Sequence, residues 1–378
     1  MEKAPRKEKY EGGNHDIQFS SQWQLILLKF KKHRLAVISV FVLAIIYLVA
    51  IFCEFLAPYD PNTIFSEYIY APPQRIFIRD SQGDFRMPFV YGYKTSLDRE
   101  TLSYVYEYDP EVIAPVKMFV KGQPYKMFGL IPMESHLIGV ESEHRMFLLG
   151  TDRMGRDMLS RVIYGARVST SIGLLGVLIS FMVGLVLGGI SGYYGGAADT
   201  IIQRAIEFVR SIPTIPLWLA LSAALPLEWS SLKVYFAIVI ILSLIGWTGL
   251  ARVVRSRLIS LKQEDFVLAA RLVGASDARI IIRHLVPAFT SHIIASITLS
   301  IPTMIIAETS LSYLGIGLRP PTVSWGVLLQ EAQNLRTVAT APWLLLPAVM
   351  IIVTVLAFNF LGDGLRDAAD PYAEQGRL

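Results

Sequence analysis

The chain has 378 residues, 53% hydrophobic and 17% charged, with a mean hydropathy of +0.46. So much apolar surface and so little charge exclude a disordered chain, and a lone cysteine, Cys53, excludes an internal disulfide framework and a thiolate zinc site. A net charge of +4 could suit nucleic acid, but in so apolar a chain it fits Lys and Arg gathered on the cytoplasmic side of a membrane, and no nucleic-acid partner is expected.

A membrane helix needs roughly 20 mostly apolar residues. Six stretches free of Asp, Glu, Lys and Arg approach that length: 35–53, 168–198, 211–227, 234–251, 284–307 and 337–362. Residues 1–34 are read as a cytoplasmic segment and 35–57 as the first transmembrane helix. That helix is an uncleaved anchor, because its apolar run exceeds a signal core and no A-x-A site follows. Residues 58–150 are polar and aromatic, with weakly alternating tracts at 75–79 and 90–93 and Pro punctuation. They are expected to form an inserted extracytoplasmic strand-and-loop subdomain, either a lid on the membrane domain or a docking platform. His136, Glu141 and His144 fall close together there, but their spacing matches no metal motif, and no metal site is expected. The transmembrane core is set at 151–364, with a loop at 252–287 and a cytoplasmic tail at 365–378. The third span is the least regular, broken by Pro213, Pro216 and Pro226 and starting near Asp199.

Charge bias orients the spans. Lys29–Arg34, Arg204, Arg210 and seven basic residues between Arg252 and Arg283 fall on one side, whereas the opposite short loops carry only Lys233, Arg319 and Arg336. Both termini and the 252–283 connection are therefore cytoplasmic. Arg153, Arg156, Arg161 and Arg167 violate the bias, but they follow a long segment, which translocates largely regardless of charge. In the second span Gly184, Gly188, Gly192 and Gly196 recur every four residues, which allows close helix packing in lipid.

The 252–287 connection is the most informative stretch. Phe266, Ala269, Ala270 and Val273 repeat at i, i+3, i+4 and i+7, the period of an amphipathic helix with a small-residue face. Gly274 sits where a left-handed residue closes a helix. Ala275 follows, Ser276 is placed to cap the next helix, and Asp277 lies in its first turn. That second helix runs into the fifth span near Pro287. The result is a compact cytoplasmic knob, either a solvated elbow or a peg for a partner.

Ala269-Ala270-x3-Gly274-x9-His284-Leu-Val-Pro287 resembles the coupling motif of bacterial ABC-importer permeases, with Leu268 in place of the usual Glu. Gly150-Thr-Asp-Arg-Met-Gly-Arg-Asp157, Gly192-Tyr-Tyr-Gly-Gly196, Glu308-Thr-Ser-Leu-Ser-Tyr-Leu-Gly-Ile-Gly317, Ser324-Trp-Gly326 and Phe358–Asp367 with Asp370-Pro371 are similar to the C-type permease of the oligopeptide, dipeptide and nickel branch. The segment 60–148 departs from that pattern, whose first outer loop is usually far shorter. The resemblance implies an all-α membrane protein of six transmembrane helices in a bacterial inner membrane, with a cytoplasmic coupling helix. It implies a heterodimer with a related permease, two cytoplasmic ATPases that hydrolyse ATP, and an extracytoplasmic substrate-binding protein. The coupling contact would fall on Phe266, Ala269, Ala270, Gly274, Ala275, Ser276, Asp277 and Pro287. Peptides are the favoured cargo; oligosaccharides, opine-like compounds and nickel complexes use similar machinery.

No P-loop, H-E-x-x-H or G-x-S-x-G occurs, so the chain is read as a non-enzyme that binds no cofactor itself. Arg204 and Glu207 read as a structural pair. Glu308 reads either as an anchor of the outer loop or as part of the pathway, and His292 as an interhelical polar residue or a relay. A proton-coupled carrier using Glu207, His292 and Glu308 is the rival, but the matched repeats common in such carriers are not seen.

Overall fold

The computed structural model describes residues 22–80, 82–98, 103–141 and 144–369. The first 21 residues of the N-terminal segment and residues 370–378 of the tail, with Asp370-Pro371, lie outside the described residues.

Helix α1 (Gln22–Lys32) leads into α2 (Arg34–Ile51), which His33 caps by accepting the Ala36 N–H at 3.1 Å, and then into the single turn α3 (Cys53–Leu56). Beyond it lie two antiparallel sheets. Strands β1 (Phe77–Arg79), β2 (Phe85–Asp98) and β3 (Ser103–Pro115) form one, in that order; β4 (Lys117–Met127) and β5 (Ile131–Gly139) form the other. Cross-strand register sets Tyr93 opposite Tyr108 and Val90 opposite Ala114. Rings pack together on the first sheet: Phe77 lies tilted against Tyr91 and Phe89 edge-on to Tyr91, both at 5.0 Å, and Tyr93 stacks on Tyr108 at 5.6 Å. Such pairs stabilise a sheet beyond the area they bury.

The helical part follows as α4 (Met158–Tyr194), α5 (Gly196–Ser211), α6 (Thr214–Ala223) and α7 (Ser231–Leu261). Next come α8 (Asp265–Leu272), α9 (Asp277–Arg279), a π-helical turn at Ile280–Leu285, α10 (Val286–Ala288) and α11 (Thr290–Tyr313). The chain ends with α12 (Trp325–Leu329), α13 (Leu335–Thr340) and α14 (Leu346–Ala369). Among the described residues five helices are long and apolar enough to cross a membrane: Arg34–Ile51, Met158–Tyr194, Ser231–Leu261, Thr290–Tyr313 and Pro342–Ala369. The expected third stretch is instead two shorter helices. Ile212 leaves the helical region and Pro213 follows, so α5 stops before α6 begins.

Two boundaries differ most from the charge-free runs. Helix α4 begins ten residues before Val168 and carries Arg161 and Arg167; α7 continues ten residues past Ala251. A charge does not end a helix when it has a partner or reaches water, so the run of uncharged residues underestimates both.

The long helices share one core, in which Leu43, Ile172, Val177, Leu242, Ile301, Ile305 and Phe358 are buried together. Close approach of α4 and α7 holds it. A Cβ added at Gly188 would lie 2.4 Å from the Ala251 carbonyl oxygen, one at Gly192 2.8 Å from that of Arg255, and one at Gly184 2.9 Å from Leu250 Cβ. Lipid tails are as apolar as the helices, so such packing, rather than escape from water, favours association. Gly196 keeps the four-residue interval but opens α5 with φ +57°, and a Cβ added there would meet nothing within 4 Å.

Candidate functional site

The 262–289 knob is built locally. Helix α8 ends at Val273, and Gly274 follows at φ +82°. The Gly274 N–H donates to the Arg271 carbonyl at 2.9 Å and the Ala275 N–H to that of Ala270 at 3.0 Å. These are the two bonds of a Schellman closure, and the left-handed residue they require is least costly as Gly. Ser276 then accepts the Arg279 N–H at 3.4 Å, capping α9. The chain passes through the π-helical turn to Pro287, in the single turn of α10.

The two alanines do not share a face. Val267 is buried, and Ala270 and Ala275 pack with it against Val254, Leu258, Ile280 and Leu285. Phe266, Leu268 and Ala269 point outward, and Leu272 and Val273 are 89% and 88% exposed. An apolar surface of this kind on a short helix is unusual unless something covers it. The residue period locates the helix but not its inner face, because Val267, the buried residue, lies off the 266, 269, 270, 273 stripe.

Tyr193, at the end of α4, ties the knob to the membrane helices. Its hydroxyl donates to Asp277 Oδ1 at 2.5 Å and accepts from Arg271 at 3.4 Å. Its carbonyl accepts from Lys262 Nζ at 2.5 Å, and the Lys262 ammonium and Arg271 guanidinium lie 5.4 and 5.6 Å from its ring. Next to it Arg255 of α7 makes two 2.6 Å bonds to Asp199 of α5, which also accepts from Ser191 of α4. Sequence reasoning quoted Tyr193 only as part of a motif. Its partners are 69 to 84 residues away, and no local period announces them.

At the other end of the helices Glu308 has no exposed surface. It accepts from Ser312 and Ser324 at 2.8 Å and from Ser169 at 3.3 Å. The same serines hold the connection after α11: Ser324 accepts the Val327 N–H at 3.2 Å, Ser312 that of Leu318 at 3.1 Å, and Ser169 that of Trp325 at 3.1 Å. Glu308 thus sits among the hydrogen bonds that hold residues 318–327. His292 is half-buried and its Nδ1 lies 3.3 Å from Arg257. Arg204 pairs with Glu207 at 2.8 Å, both exposed.

A second buried cluster joins the residues before α4 to the outer connection. Asp152 binds Arg156 at 2.6 Å and Arg161 at 3.2 Å, and Arg156 reaches Glu331 at 3.2 Å. Burial and the nearby Asp152 raise the Glu331 carboxyl above its usual range. In the sheet segment both ring nitrogens of His136 face carbonyls, Ala57 at 2.6 Å and Gln123 at 3.1 Å, and Glu141 pairs with Lys117.

Residues 184–374 match the family described as the binding-protein-dependent transport system inner membrane component. Residues 21–73 match the N-terminal transmembrane domain of oligopeptide transport permease C. The dipeptide transport system permease protein DppC of Bacillus subtilis is 39% identical over 59% of this chain and 68% of its own length. The glutathione transport system permease protein GsiD of Pectobacterium atrosepticum is 40% identical over 59% and 72%. DppC of Lactococcus lactis is 31% identical over 94% of this chain and 91% of its own, so that alignment runs through residues 58–150 as well. A solved MetNI methionine ABC transporter chain superposes with a TM-score of 0.45 at 17% identity, covering 56% of this chain and 97% of that one. The chain belongs to the binding-protein-dependent inner-membrane permease family and is a C-type transmembrane permease subunit of an ABC importer.

Proposed function

We propose that this subunit forms half of the translocation pathway of a peptide importer, paired with a related permease, fed by a soluble extracytoplasmic binding protein and driven by two cytoplasmic ATPases. The outward apolar face of α8, Phe266, Ala269, Leu272 and Val273, is the observation that carries the coupling role. The Gly274 closure fixes the shape of the peg, and Tyr193 links it to the end of α4, the two things a peg needs if it is to pass a movement on. ATP is hydrolysed by the partners, and this chain supplies no catalytic group. Helices α5 and α6 act together as a broken third span, making six with both termini cytoplasmic, residues 58–150 outside, and the 252–287 loop inside. The names of the relatives favour dipeptides and oligopeptides, with glutathione as a further small peptide. Oligosaccharides, opine-like compounds and nickel complexes are the alternative cargoes.

Co-purification of the tagged chain from mildly solubilised membranes tests the assembly. A second permease and P-loop ATPases are expected, whereas a chain that purifies alone and transports without ATP would sink this reading in favour of a proton-coupled carrier. Gly274→Arg tests the peg. A Cβ at Gly274 meets nothing within 4 Å, so its cost is the left-handed backbone, roughly 1–2 kcal/mol. The variant is expected in the membrane at near-normal amount with uptake lost; wild-type uptake would remove the coupling assignment.

A further inference from the structure

The β4–β5 hairpin carries an apolar tip beside the outer end of the first long helix. Phe128, Leu130 and Ile131 are all exposed, Leu130 by 82%. Phe41, Ile45, Leu48 and Phe52 are exposed too, at i, i+4, i+7 and i+11, one stripe along α2 that ends at Phe52. Helix α2 is about 27 Å long at 1.5 Å per residue, close to the roughly 30 Å of a bilayer core. Phe52 therefore marks the level at which the span leaves the hydrocarbon. The Phe128 ring lies 6.1 Å from the Phe52 ring, and Phe119, also exposed, lies 6.0 Å from Phe55.

Phe119 and Phe128 hold φ values of 56° and 53°. Bulky side chains avoid that region, and such outliers persist only where the surroundings impose them. Here the unusual backbone sets both rings against the end of the span. Lys126, exposed and with no carboxylate partner among the described residues, stands next to the tip, where a phosphate headgroup would meet it.

We propose that the β4–β5 tip inserts Phe128, Leu130 and Ile131 into the adjacent leaflet of the bilayer, continuing the lipid-facing stripe of α2, with Lys126 at the phospholipid headgroups. The hairpin would then fix the height of the 58–150 segment over the membrane. The inference rests on α2 being a span, and the test separates the two claims.

The native Cys53 is buried, so a Cys53→Ala background allows single labelling. Leu130→Cys, Ile45→Cys and Met87→Cys would each carry an environment-sensitive NBD probe in the whole transporter, reconstituted in phosphatidylcholine/phosphatidylglycerol vesicles with and without doxyl-labelled lipid. Met87 is exposed on β2, in the other sheet, and serves as the water-facing control. The expected result is several-fold quenching with a blue shift at 130, as at 45, and neither at 87. Quenching at 45 but not at 130 overturns the insertion, and a shift at 130 only on adding the binding protein would assign the tip to that partner instead. No quenching at 45 would mean that α2 is not lipid-facing, and the proposal falls with it.

Discussion

The two ends of the helical body are tied together in different ways. At the Glu308 end the polar links are sealed: Glu308 has no exposed surface, and Asp152 and Arg161, in a separate cluster, are buried as well. At the Tyr193 end the links reach water. Arg271 and Asp277, which hold Tyr193, are exposed, and the Arg255–Asp199 pair is part-exposed. A buried network has few alternative arrangements, because any group that leaves it stays unpaired in a low-dielectric medium. A hub at the surface can exchange a partner for water at little cost. The Glu308 end is thus a fixed clamp and the Tyr193 end a joint; under the proposed coupling role, the joint is where a driven subunit has to move.

The comparison breaks most visibly at Asp152. Asp152→Ala leaves Arg156 and Arg161 buried with Glu331 as the remaining nearby acid, and loss of one partner of a buried pair costs about 3–5 kcal/mol. The expected outcome is loss of most folded protein, read as monodisperse yield in detergent. A yield like that of the parent would show that the Glu308 end is no clamp. Glu308→Ala comes next. Three serine hydroxyls lose their common acceptor, at about 2–3 kcal/mol. Glu308→Gln keeps an acceptor oxygen for Ser312 and Ser324 and is expected to cost about 1 kcal/mol. Thermal unfolding of the two variants should separate them, and equal shifts would mean that the serines do not depend on the carboxylate.

The same contrast explains what could be read in advance. The knob was legible because its shape is local: an apolar period, a Gly at the closing position, and a Ser cap lie within a dozen residues. The glycine stripe of α4 was legible for the same reason, since a four-residue interval maps onto one helix face. The hub at Tyr193 and the Asp152 cluster were not, because each joins residues from distant parts of the chain and no single segment shows a pattern. In α8 the period found the helix, but Val267 decided the inner face, because the preceding helix α7 offers Val254 and Leu258 at that place. The strand segment was legible only as alternation and Pro punctuation; the pairing of Tyr93 with Tyr108 needs the register, which composition does not contain.

Tyr193→Phe sharpens the inner half. The ring and the Lys262 contact to the backbone carbonyl survive, and only the hydroxyl bonds to Asp277 and Arg271 are lost. A charge-assisted bond near water contributes about 1–2 kcal/mol. The subunit should therefore fold and assemble normally, with basal ATP hydrolysis unchanged and uptake per ATP reduced several-fold. If uptake and hydrolysis fell together, Tyr193 would be a stability residue and not part of the joint.

The smallest effect concerns Asp157, where the outer segment meets α4. Its Oδ2 caps the helix, accepting from the Ser160 N–H at 2.8 Å and the Ser160 hydroxyl at 2.6 Å. Burial pushes its carboxyl up from 3.8 to about 6, against the pull of those hydrogen bonds. The folded state therefore holds the proton more tightly than the unfolded chain. This contribution to stability is full below the unfolded value near 3.8 and is lost as pH rises towards 6. Above that, the fold keeps a buried charge. Asn carries no charge at any pH, and its carbonyl oxygen can still accept from Ser160. Asp157→Asn is thus expected to match the parent or fall below it by less than about 1 kcal/mol near pH 4, and to gain on it steadily between pH 4 and 6, with no further change above. Melting temperatures of parent and variant, taken side by side across that range, cancel the titration of every other carboxylate. A difference that stays flat with pH would show that Asp157 is ionised throughout and that the cap is more open to water than its burial implies.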